Sequence, residues 1–433
     1  MEYTIPKGLF DILPQDPDPK HSWRNVHRWQ YVESIMKNVL HNYGFQEIRT
    51  PIFEKTELFI RTVGDTSDIV SKEMYTFKDK ADRSMTLRPE GTAPVMRSFA
   101  EKRLDRLGSL QKFYYIGPFF RYDRPQAGRF RQFHQLGVES IGNDLPEADV
   151  ELIDMLHEIY RRLGIKDLKI MINSIGDQKT RSDYTQSLKE FLHPYRQDLT
   201  EESRMRLEKN PLRILDTKNE KEIEILQEAP SIIHFLTPES KTHFDRVQSL
   251  LASLGIGYEI NPKLVRGLDY YNKTVFEITS NVLGAQNTIG AGGRFDGLLS
   301  LLGGPDLPAS GFATGVERIL QTMDGQNCFF PKKDSPFFYF LPLDEDSKKT
   351  LFPLLFALRH QGMPIEMQTK IRKIQKGLQQ ADRLNVHYCL IVGSEEIQTN
   401  QFKIKDMHSG ETIPSTKEDL ENVIKKLWSS HHV

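Results

Sequence analysis

The chain has 433 residues, of which 38% are hydrophobic and 27% charged, and its formal net charge is −1. These values are typical of a globular protein with more than one domain, and they exclude a disordered chain and a global attraction to nucleic acid. The two cysteines, Cys328 and Cys389, lack metal-site or disulfide spacing. Because the chain has no membrane-length apolar run and no signal-peptide core, we expect a cytoplasmic protein without membrane contact.

The first predicted elements are a helix over 22–43 and a strand-like run over 45–54. Apolar residues recur at helical spacing, Ser22 is a candidate N-cap, and Gly44 is expected to end the helix. Pro51 favours a sheet edge or a break in the strand. A long helix followed by an edge strand could lie at a dimer interface or pack in the core of a single chain, and the apolar spacing is compatible with both.

The central region is predicted as sequential strands, which favours an antiparallel sheet. The predicted strands are 74–79, 84–89, 112–123, 131–142 and 168–176. The predicted helices between them are 91–104 and 149–163. From 176 to 260 the sequence is charged, helical and poor in aromatic residues, so we predict an inserted helical module.

Strands return at 274–280 and 288–299, and the run 311–320 is predicted as a strand leading into a helix. Alternating strands and helices then predict a small α/β domain. The fold class is therefore α+β, with an antiparallel core, a helical insertion and a C-terminal α/β domain. The predicted boundaries are a first core segment 1–175, the insertion 176–260, a second core segment 261–325, a linker 326–335 and the final domain 336–433.

A predicted hairpin over 119–139, "FFRYDRPQAGRFRQFHQLGVE", has the richest chemistry. It carries four arginines within eleven positions: Arg121, Arg124, Arg129 and Arg131. A guanidinium matches phosphate oxygens two at a time, and the interleaved aromatic residues can stack on bases. The alternative is a solvated charged face. On the following strand, Gln135 and Glu139 are four residues apart and therefore share a face.

Two further segments carry candidate ligand-binding side chains. In "TLRPEGTAPV", residues 86–95, Glu90 and Thr92 lie at a predicted strand-to-helix turn, where they could hold an ammonium group; equally, Glu90 could cap the helix. The segment "LVRGLDYYNKTVFEI", residues 264–278, could form either a turn with polar side chains at the start of a strand or the floor of a pocket for a polar ligand.

Other motifs limit the kind of nucleotide site. The glycine-rich runs "GAGGRFDGLL" and "GFATGVERIL" match neither a dinucleotide-binding fingerprint nor a P-loop. An ATP-binding site would therefore lie on a sheet surface and use arginines, with Arg318 as one candidate. In the C-terminal region, "TKIRKIQKG" is either a patch for an anionic ligand or a solvated face.

Taken in order, these segments resemble class II aminoacyl-tRNA synthetases, and specifically the histidyl-tRNA synthetase family. "GFQEIRTPIFE", the arginine hairpin and "GFATGVERIL" resemble the three class motifs, while "RGLDYYNKTVFEI" and "GAGGRFDGLL" resemble the histidine-specific ones. The resemblance covers the whole chain, including the insertion and a C-terminal anticodon-binding domain. It implies ATP-dependent ligation of L-histidine to histidine tRNA through a histidyl-adenylate, by a homodimer, with ATP as substrate and Mg²⁺.

The resemblance also implies roles for individual residues. The catalytic residues are Arg266 and Arg121. The histidine-binding residues are Glu90, Thr92, Gln135, Glu139, Tyr270 and Tyr271. The ATP-binding residues are Arg121, Asp123, Arg266 and Arg318. The tRNA-contacting residues are Arg124, Gln126 and Arg129.

The sequence departs from the family pattern at three positions. Asp123 stands where glutamate is usual, Phe295 where tyrosine is common, and Lys7 where arginine is frequent. Two other functions are considered. One is the synthetase-like regulatory subunit of ATP phosphoribosyltransferase, which typically lacks the anticodon-binding domain. The other is a plain nucleic-acid-binding module, which leaves the histidine-pocket residues unexplained.

Overall fold

The computed structural model describes residues 3–64, 67–125 and 128–431. The chain divides into two compact units, Met1–Pro331 and Lys332–Val433. The boundary falls inside the predicted linker 326–335. The finer division of the first unit at 176 and 260 stays a prediction.

Within the described residues, eight strands form the main sheet of the first unit, in the order β1-β5-β6-β11-β10-β9-β7-β8. Its strands are β1 (Gln46–Glu47), β5 (Gln111–Phe120), β6 (Gln132–Ile141), β7 (Leu168–Ser174), β8 (Glu259–Ile260), β9 (Asn272–Ser280), β10 (Thr288–Arg294) and β11 (Ala309–Gly315). The interior pairs are antiparallel, and the two outermost pairs, β1–β5 and β7–β8, are parallel. The antiparallel core predicted from the sequence is confirmed.

A smaller sheet of the order β2-β4-β3 precedes the main hairpin. It consists of β2 (Phe53–Lys55), β3 (Tyr75–Lys78) and β4 (Ser84–Leu87). Pro51 lies between β1 and β2, where the chain passes from one sheet to the other. Proline has no backbone N–H to donate to a neighbouring strand, so it favours a break at this point. The run 45–54 is thus a broken strand.

Helices cover both faces of the main sheet. They are α1 (Val26–Asn42), α2 (Thr56–Val63), α3 (Thr92–Lys102), α4 (Pro146–Arg162), α5 (Gln178–Leu192), α6 (Glu201–Lys209), α7 (Glu220–Ile225), α8 (Pro238–Ser253), α9 (Leu298–Leu301) and α10 (Val316–Gly325). Helices α1, α4, α8 and α10 share one apolar core against the sheet, and α3 and α5 contribute to a second.

The first helix begins four residues later than predicted. Residues 19–24 form a 3-10 turn, and Ser22 donates to Asp324 at 3.4 Å instead of capping α1. The end is as expected, because Gly44 has a φ of +77°, a conformation that glycine adopts without strain. Val32, Met36 and Val39 are fully buried, which gives the helix its apolar face.

The second unit has a mixed sheet in the order β13-β12-β14-β15-β16. Its strands are β12 (Phe338–Pro342), β13 (Ile365–Met367), β14 (Tyr388–Val392), β15 (Phe402–Asp406) and β16 (Thr412–Ser415). Its helices are α11 (Glu345–His360), α12 (Ile374–Arg383), α13 (Ser394–Thr399) and α14 (Leu420–His431). The α/β prediction for this region is confirmed. No helix in the described part of the chain has the length and apolar character to cross a membrane.

Candidate active site

A cavity of about 430 Å³ lies in the first unit beside β6, β10 and β11. Its lining brings together most of the residues singled out from the sequence, namely Glu90, Thr92, Arg121, Asp123, Arg129, Gln135, Arg266, Tyr270, Tyr271 and Arg318. Glu139 lies just beneath this lining, in contact with Thr92. Arg124 is exposed on the hairpin, and Gln126 lies outside the described residues. The site is therefore assembled from four separate segments of the chain.

Glu90 caps the first turn of α3. Its two carboxylate oxygens accept from the backbone N–H groups of Thr92 at 2.7 Å and Ala93 at 2.9 Å. The structure thus shows the capping geometry that the sequence left as one alternative. Burial raises the pKa of Glu90, and the two backbone donors and Arg121 oppose that rise. Because a carboxylate has about four acceptor positions, the cap leaves capacity for a further donor from the cavity.

Glu139 has one satisfied and one unsatisfied oxygen. Its Oε1 accepts the Thr92 hydroxyl at 2.8 Å and the Tyr115 hydroxyl at 3.1 Å. Its Oε2 is buried and has no hydrogen-bond partner among the described residues. Burial raises the pKa of Glu139 well above its ordinary value. A buried acceptor without a partner is costly, so this oxygen is suited to a ligand that donates a hydrogen bond.

Two glycines make room for the ring of Tyr115. A Cβ atom at either Gly91 or Gly137 would lie 2.2 Å from this ring. Gly311 on β11 plays a similar part for Glu139, because a Cβ there would lie 2.6 Å from Oε2. Sequence reasoning missed Tyr115, which in an alternating strand gives no signal of its own.

Tyr270 and Tyr271 form one wall of the cavity, and the buried ring of Phe295 packs against both. Tyr270 and Tyr271 have centroids 4.7 Å apart, and both contact Phe295, at 5.4 Å and 6.0 Å respectively. Burial raises the pKa of both tyrosines, and the negative charge of Glu139 adds to the rise. Both phenols therefore stay protonated at neutral pH and can donate hydrogen bonds. Phe295 belongs to the packing of this wall, although the family more often has tyrosine at its position.

Arg266 reaches β9 from the loop before it. Its Nη1 lies 3.3 Å from Oε2 of Glu277, and its Nε is buried without a partner among the described residues. Glu277 also accepts from the hydroxyl of Thr288. Burial raises the pKa of Glu277, and Arg266 opposes that rise. Glu277 was not predicted as a site residue, because the apolar strand around it gives no indication that its carboxylate pairs with Arg266.

Arg121 and Arg318 approach the cavity from different elements. Nε of Arg121 donates to Pro89 O at 2.9 Å, and its guanidinium lies over the ring of Phe133 at 5.3 Å. Arg318, in the first turn of α10, donates to Gly128 O at 3.1 Å and Thr288 O at 2.5 Å. In both cases a backbone carbonyl fixes part of the side chain and leaves other N–H donors for a ligand.

The tip of the hairpin carries an internal ion pair. Nη1 of Arg129 donates to Oδ2 of Asp123 at 2.9 Å, and the other oxygen of Asp123 accepts from the backbone of Arg124. Glu73 lines the cavity close to Arg121, and burial raises the pKa of Glu73.

Among the described residues, no group of three or more His, Cys, Asp or Glu side chains could hold a metal ion.

The basic patch noted in the C-terminal sequence lies at the start of α12. Its members are Lys370, Arg372, Lys373 and Lys376, and all four are exposed. This patch belongs to the second unit, and it stays a candidate for contact with an anionic partner.

Comparison with known proteins identifies both units. A family model described as histidyl-tRNA synthetase matches residues 15–319, and a model described as an anticodon binding domain matches residues 339–427. The chain is 50% identical over 425 residues to a histidine–tRNA ligase of Protochlamydia amoebophila (strain UWE25), covering 98% of this chain and 100% of that protein. It is 46% identical to a histidine–tRNA ligase of Geobacillus sp. (strain WCH70), covering 99% of each.

Solved structures agree with these relatives. The crystal structure of apo S. aureus histidyl-tRNA synthetase superposes with a TM-score of 0.82 at 36% sequence identity, covering 98% of this chain and 100% of that one. The regulatory-subunit alternative is less supported, since the full-length relatives are ligases and an anticodon-binding model matches the second unit. The chain belongs to the histidyl-tRNA synthetase family.

Proposed function

We propose that the cavity of the first unit binds L-histidine and ATP, forms histidyl-adenylate, and presents it to histidine tRNA. The observation that carries this proposal is the buried, unpartnered Oε2 of Glu139 in a site that also holds Tyr271 and the guanidinium of Arg266. The Tyr271 hydroxyl supplies a hydrogen-bond donor, the Glu139 carboxylate supplies an acceptor, and Arg266 supplies a positive charge in the same cavity. The tRNA histidylation activity itself follows from family membership over the full length.

Glu139 and Tyr271 are proposed to select the imidazole ring. Neutral histidine has one ring N–H donor and one ring acceptor. Oε2 of Glu139 accepts the ring N–H, and the Tyr271 hydroxyl donates to the other nitrogen. An amino acid that lacks either nitrogen leaves a buried site group unpaired, which rejects it more strongly than a missing apolar contact does.

Glu90, Thr92 and Gln135 are proposed to hold the ammonium group of the substrate. All three line the cavity, and burial makes the carboxylate of Glu90 a strong partner for a cation. Tyr270 packs against Tyr271 and completes the pocket. This arrangement directs the substrate carboxylate away from Glu139 and towards the arginines.

The first chemical step is attack by the histidine carboxylate on the α-phosphorus of ATP, with pyrophosphate as the leaving group. Phosphoryl and nucleotidyl transfers depend mainly on positioning and charge stabilisation. Arg121 and Arg266 are proposed to hold the α-phosphate oxygens, and Arg318 the far end of the triphosphate. Asp123 is proposed to contact the nucleotide, and its Oδ2 accepts from Nη1 of Arg129.

Mg²⁺ is proposed to accompany ATP. This ion keeps several waters and is held by one or two carboxylates together with substrate phosphates. The donor set fits, because the cavity lining includes the carboxylates of Glu73 and Glu277. When bound, the ion neutralises phosphate charge.

The second step is attack by a ribose hydroxyl at the 3′ end of tRNA on the histidyl-adenylate, which releases AMP. Arg124, Gln126 and Arg129 on the hairpin are proposed to contact the tRNA, and the second unit is proposed to bind the anticodon. We assign no side-chain base to this step.

A homodimer and a cytoplasmic location complete the proposal. Ile52 and Phe53, at the predicted interface segment, are 46% and 50% exposed, and Phe53 packs on Phe77, which is also exposed. Such apolar exposure fits a surface that is covered by a second copy. Cys328 and Cys389 are free thiols, as expected in a reducing compartment.

The test has two stages. Purified protein is assayed for histidine-dependent exchange of labelled pyrophosphate into ATP, and then for charging of histidine tRNA. We expect both activities. Absence of exchange with pure protein contradicts the proposed cavity chemistry. Normal exchange without charging contradicts only the proposed tRNA contacts.

A further inference from the structure

The loop formed by residues 264–271 carries Arg266, Tyr270 and Tyr271, yet it has no regular secondary structure. It joins β8 to β9 and lies between the cavity described above and a second, larger cavity of about 840 Å³. A loop without a backbone ladder needs other contacts to hold catalytic side chains in place. The structure supplies such contacts from the helical region that follows β7.

Three polar side chains meet at the centre of this loop. Nδ2 of Asn210 donates to Oδ1 of Asp269 at 2.9 Å. Nε and Nη2 of Arg213 donate to the same oxygen at 3.1 Å and 2.9 Å, and Nη2 also donates to Gly267 O at 2.8 Å. We call this set, Asn210, Arg213 and Asp269, the Asp269 anchor. Arg213 is only 8% exposed, so its bonds are shielded from water.

The other oxygen of Asp269 faces the end of α2. A Cβ atom at Gly64 would lie 2.1 Å from Oδ2 of Asp269, and Gly64 has a φ of +93°, which favours glycine. The backbone N–H of Asp269 also approaches Val63 O at 3.4 Å. The anchor therefore fixes the loop between the end of α2 and the segment 210–213, neither of which carries Arg121, Arg266 or Arg318.

A further bond comes from the same helical region. Nη1 of Arg181, on α5, donates to Tyr271 O at 3.0 Å. In addition, Arg213, Asp216 and Lys218 themselves line the 430 Å³ cavity. The segment 210–218 thus forms part of the wall of the active site and also holds the loop that carries Arg266.

We propose that Arg213 is a positioning residue for the first chemical step, acting on Arg266 through Gly267 and Asp269. This inference rests on the role proposed above for Arg266. It gives the helical region between β7 and β8 a part in histidine activation that is separate from any contact with tRNA. A shift of about 1 Å in a group that stabilises the transition state can lower a rate by about a hundredfold.

The test compares single and double variants of the full chain in histidine-dependent pyrophosphate exchange. Arg213→Met removes the charge and the donors, and Arg213→Lys keeps the charge but loses the forked geometry. The matched control is Arg196→Met, because Arg196 lies in the same helical region and pairs only with Glu208 in the ion pairs of the described residues. The melting temperature of each variant is measured alongside.

We expect kcat for exchange to fall between about tenfold and about a hundredfold in Arg213→Met, less in Arg213→Lys, and less than about twofold in the control. The KM for histidine is expected to change far less than kcat. In the Arg266→Ala background, Arg213→Met is expected to cause little further loss, because a residue that acts through Arg266 has no effect once that side chain is gone.

Two results overturn the inference alone: normal exchange in both Arg213 variants while Arg266→Ala is slow, or losses that multiply in the double variant. Normal exchange in Arg266→Ala itself overturns the proposed role of Arg266 together with this inference. If Arg213→Met does not fold, the Arg213→Lys single variant and its combination with Arg266→Ala decide the question by the same criteria.

Discussion

The hydroxyl of Thr92 donates to Oε1 of Glu139 over 2.8 Å, and the opposite oxygen of that carboxylate is buried without a partner among the described residues. Thr92 opens α3, and Glu139 lies near the end of β6, so the bond ties a helix start to the central sheet. One oxygen is held by the protein, and the other is the one proposed to bind the histidine ring. The predictions below follow from this division and from the arginines of the same cavity.

Replacement of Glu139 by glutamine is expected to weaken histidine binding. The amide keeps the shape and can still accept from Thr92, but it removes the negative charge and places either a donor or a weaker acceptor at the ligand side. Hydrogen bonds to charged groups contribute about 1.5–3 kcal/mol, so we expect about a 10- to 100-fold loss of affinity. Isothermal titration with histidine measures it, and unchanged affinity contradicts the assigned role.

The same variant is expected to be more stable than the parent chain at neutral pH. Burial raises the pKa of Glu139 in the folded state above its ordinary value of 4.5. A group with a raised folded pKa holds more protons when folded, so its favourable contribution is complete below about pH 4.5 and is lost as the pH rises towards the folded pKa. A glutamine side chain does not ionise, so the variant does not lose stability in this way as the pH rises.

Melting temperatures of Glu139→Gln and the parent chain are therefore compared from about pH 5 to about pH 8. The difference, variant minus parent, is expected to grow with pH across this window. The negative charge of Glu90 adds to the rise of the Glu139 pKa, so the variant also removes a repulsion between two buried carboxylates, which increases the difference in the same direction. A difference that shrinks as the pH rises refutes the assigned burial of the charge.

Replacement of Arg266 by alanine is expected to slow adenylate formation far more than it weakens histidine binding. The guanidinium is proposed to act on charge that develops at the α-phosphate, and loss of one such donor typically costs about 10²- to 10³-fold in kcat. Single-turnover formation of histidyl-adenylate and equilibrium binding of histidine separate the two effects. A loss that falls mainly on histidine binding shows that Arg266 has another role.

Replacement of Gly311 by alanine is expected to damage the histidine pocket. The new methyl group would lie 2.2 Å from Val138 O and 2.6 Å from Oε2 of Glu139, so β6 or the carboxylate must move. Overpacking of this kind costs about 1–3 kcal/mol, and we expect a lower melting temperature with at least about a tenfold loss of pyrophosphate exchange.

Gly257→Ala is the matched control, because a Cβ atom at Gly257 has no neighbour within 4 Å among the described residues. It is expected to match the parent chain in both measurements. Equal behaviour of the two alanine variants would contradict the proposed role of Gly311 beside Glu139.

The sequence alone was enough to predict most strands of the main sheet, but it missed β8, which lies at the end of the run predicted as helical. The hairpin of β5 and β6 follows from alternation, and the arginines between its strands are the basis for the proposed phosphate and tRNA contacts. Three-dimensional relationships were not predictable. The ring of Tyr115 fits between Gly91 and Gly137, which are far apart in sequence, and no local pattern reports such a contact.

Glu90 illustrates a second limit of sequence reasoning. An acid before a helix is suited both to capping and to binding an ammonium group, and residue type does not distinguish the two. The structure shows both oxygens on the backbone of α3, and the ammonium contact stays a proposal. The start of α1 was also predicted wrongly: the helix begins at Val26 and not at Ser22. Ser22 donates to Asp324 instead of capping the helix, and the local sequence does not reveal such a distant partner.

A crystal structure of the chain with L-histidine and a non-hydrolysable ATP analogue is the most direct test of the pocket. We expect one imidazole nitrogen within hydrogen-bond distance of Oε2 of Glu139 and the other at the hydroxyl of Tyr271, with the α-phosphate beside Arg266. An imidazole ring bound elsewhere, or a Glu139 carboxylate turned away from it, would contradict the proposed histidine pocket.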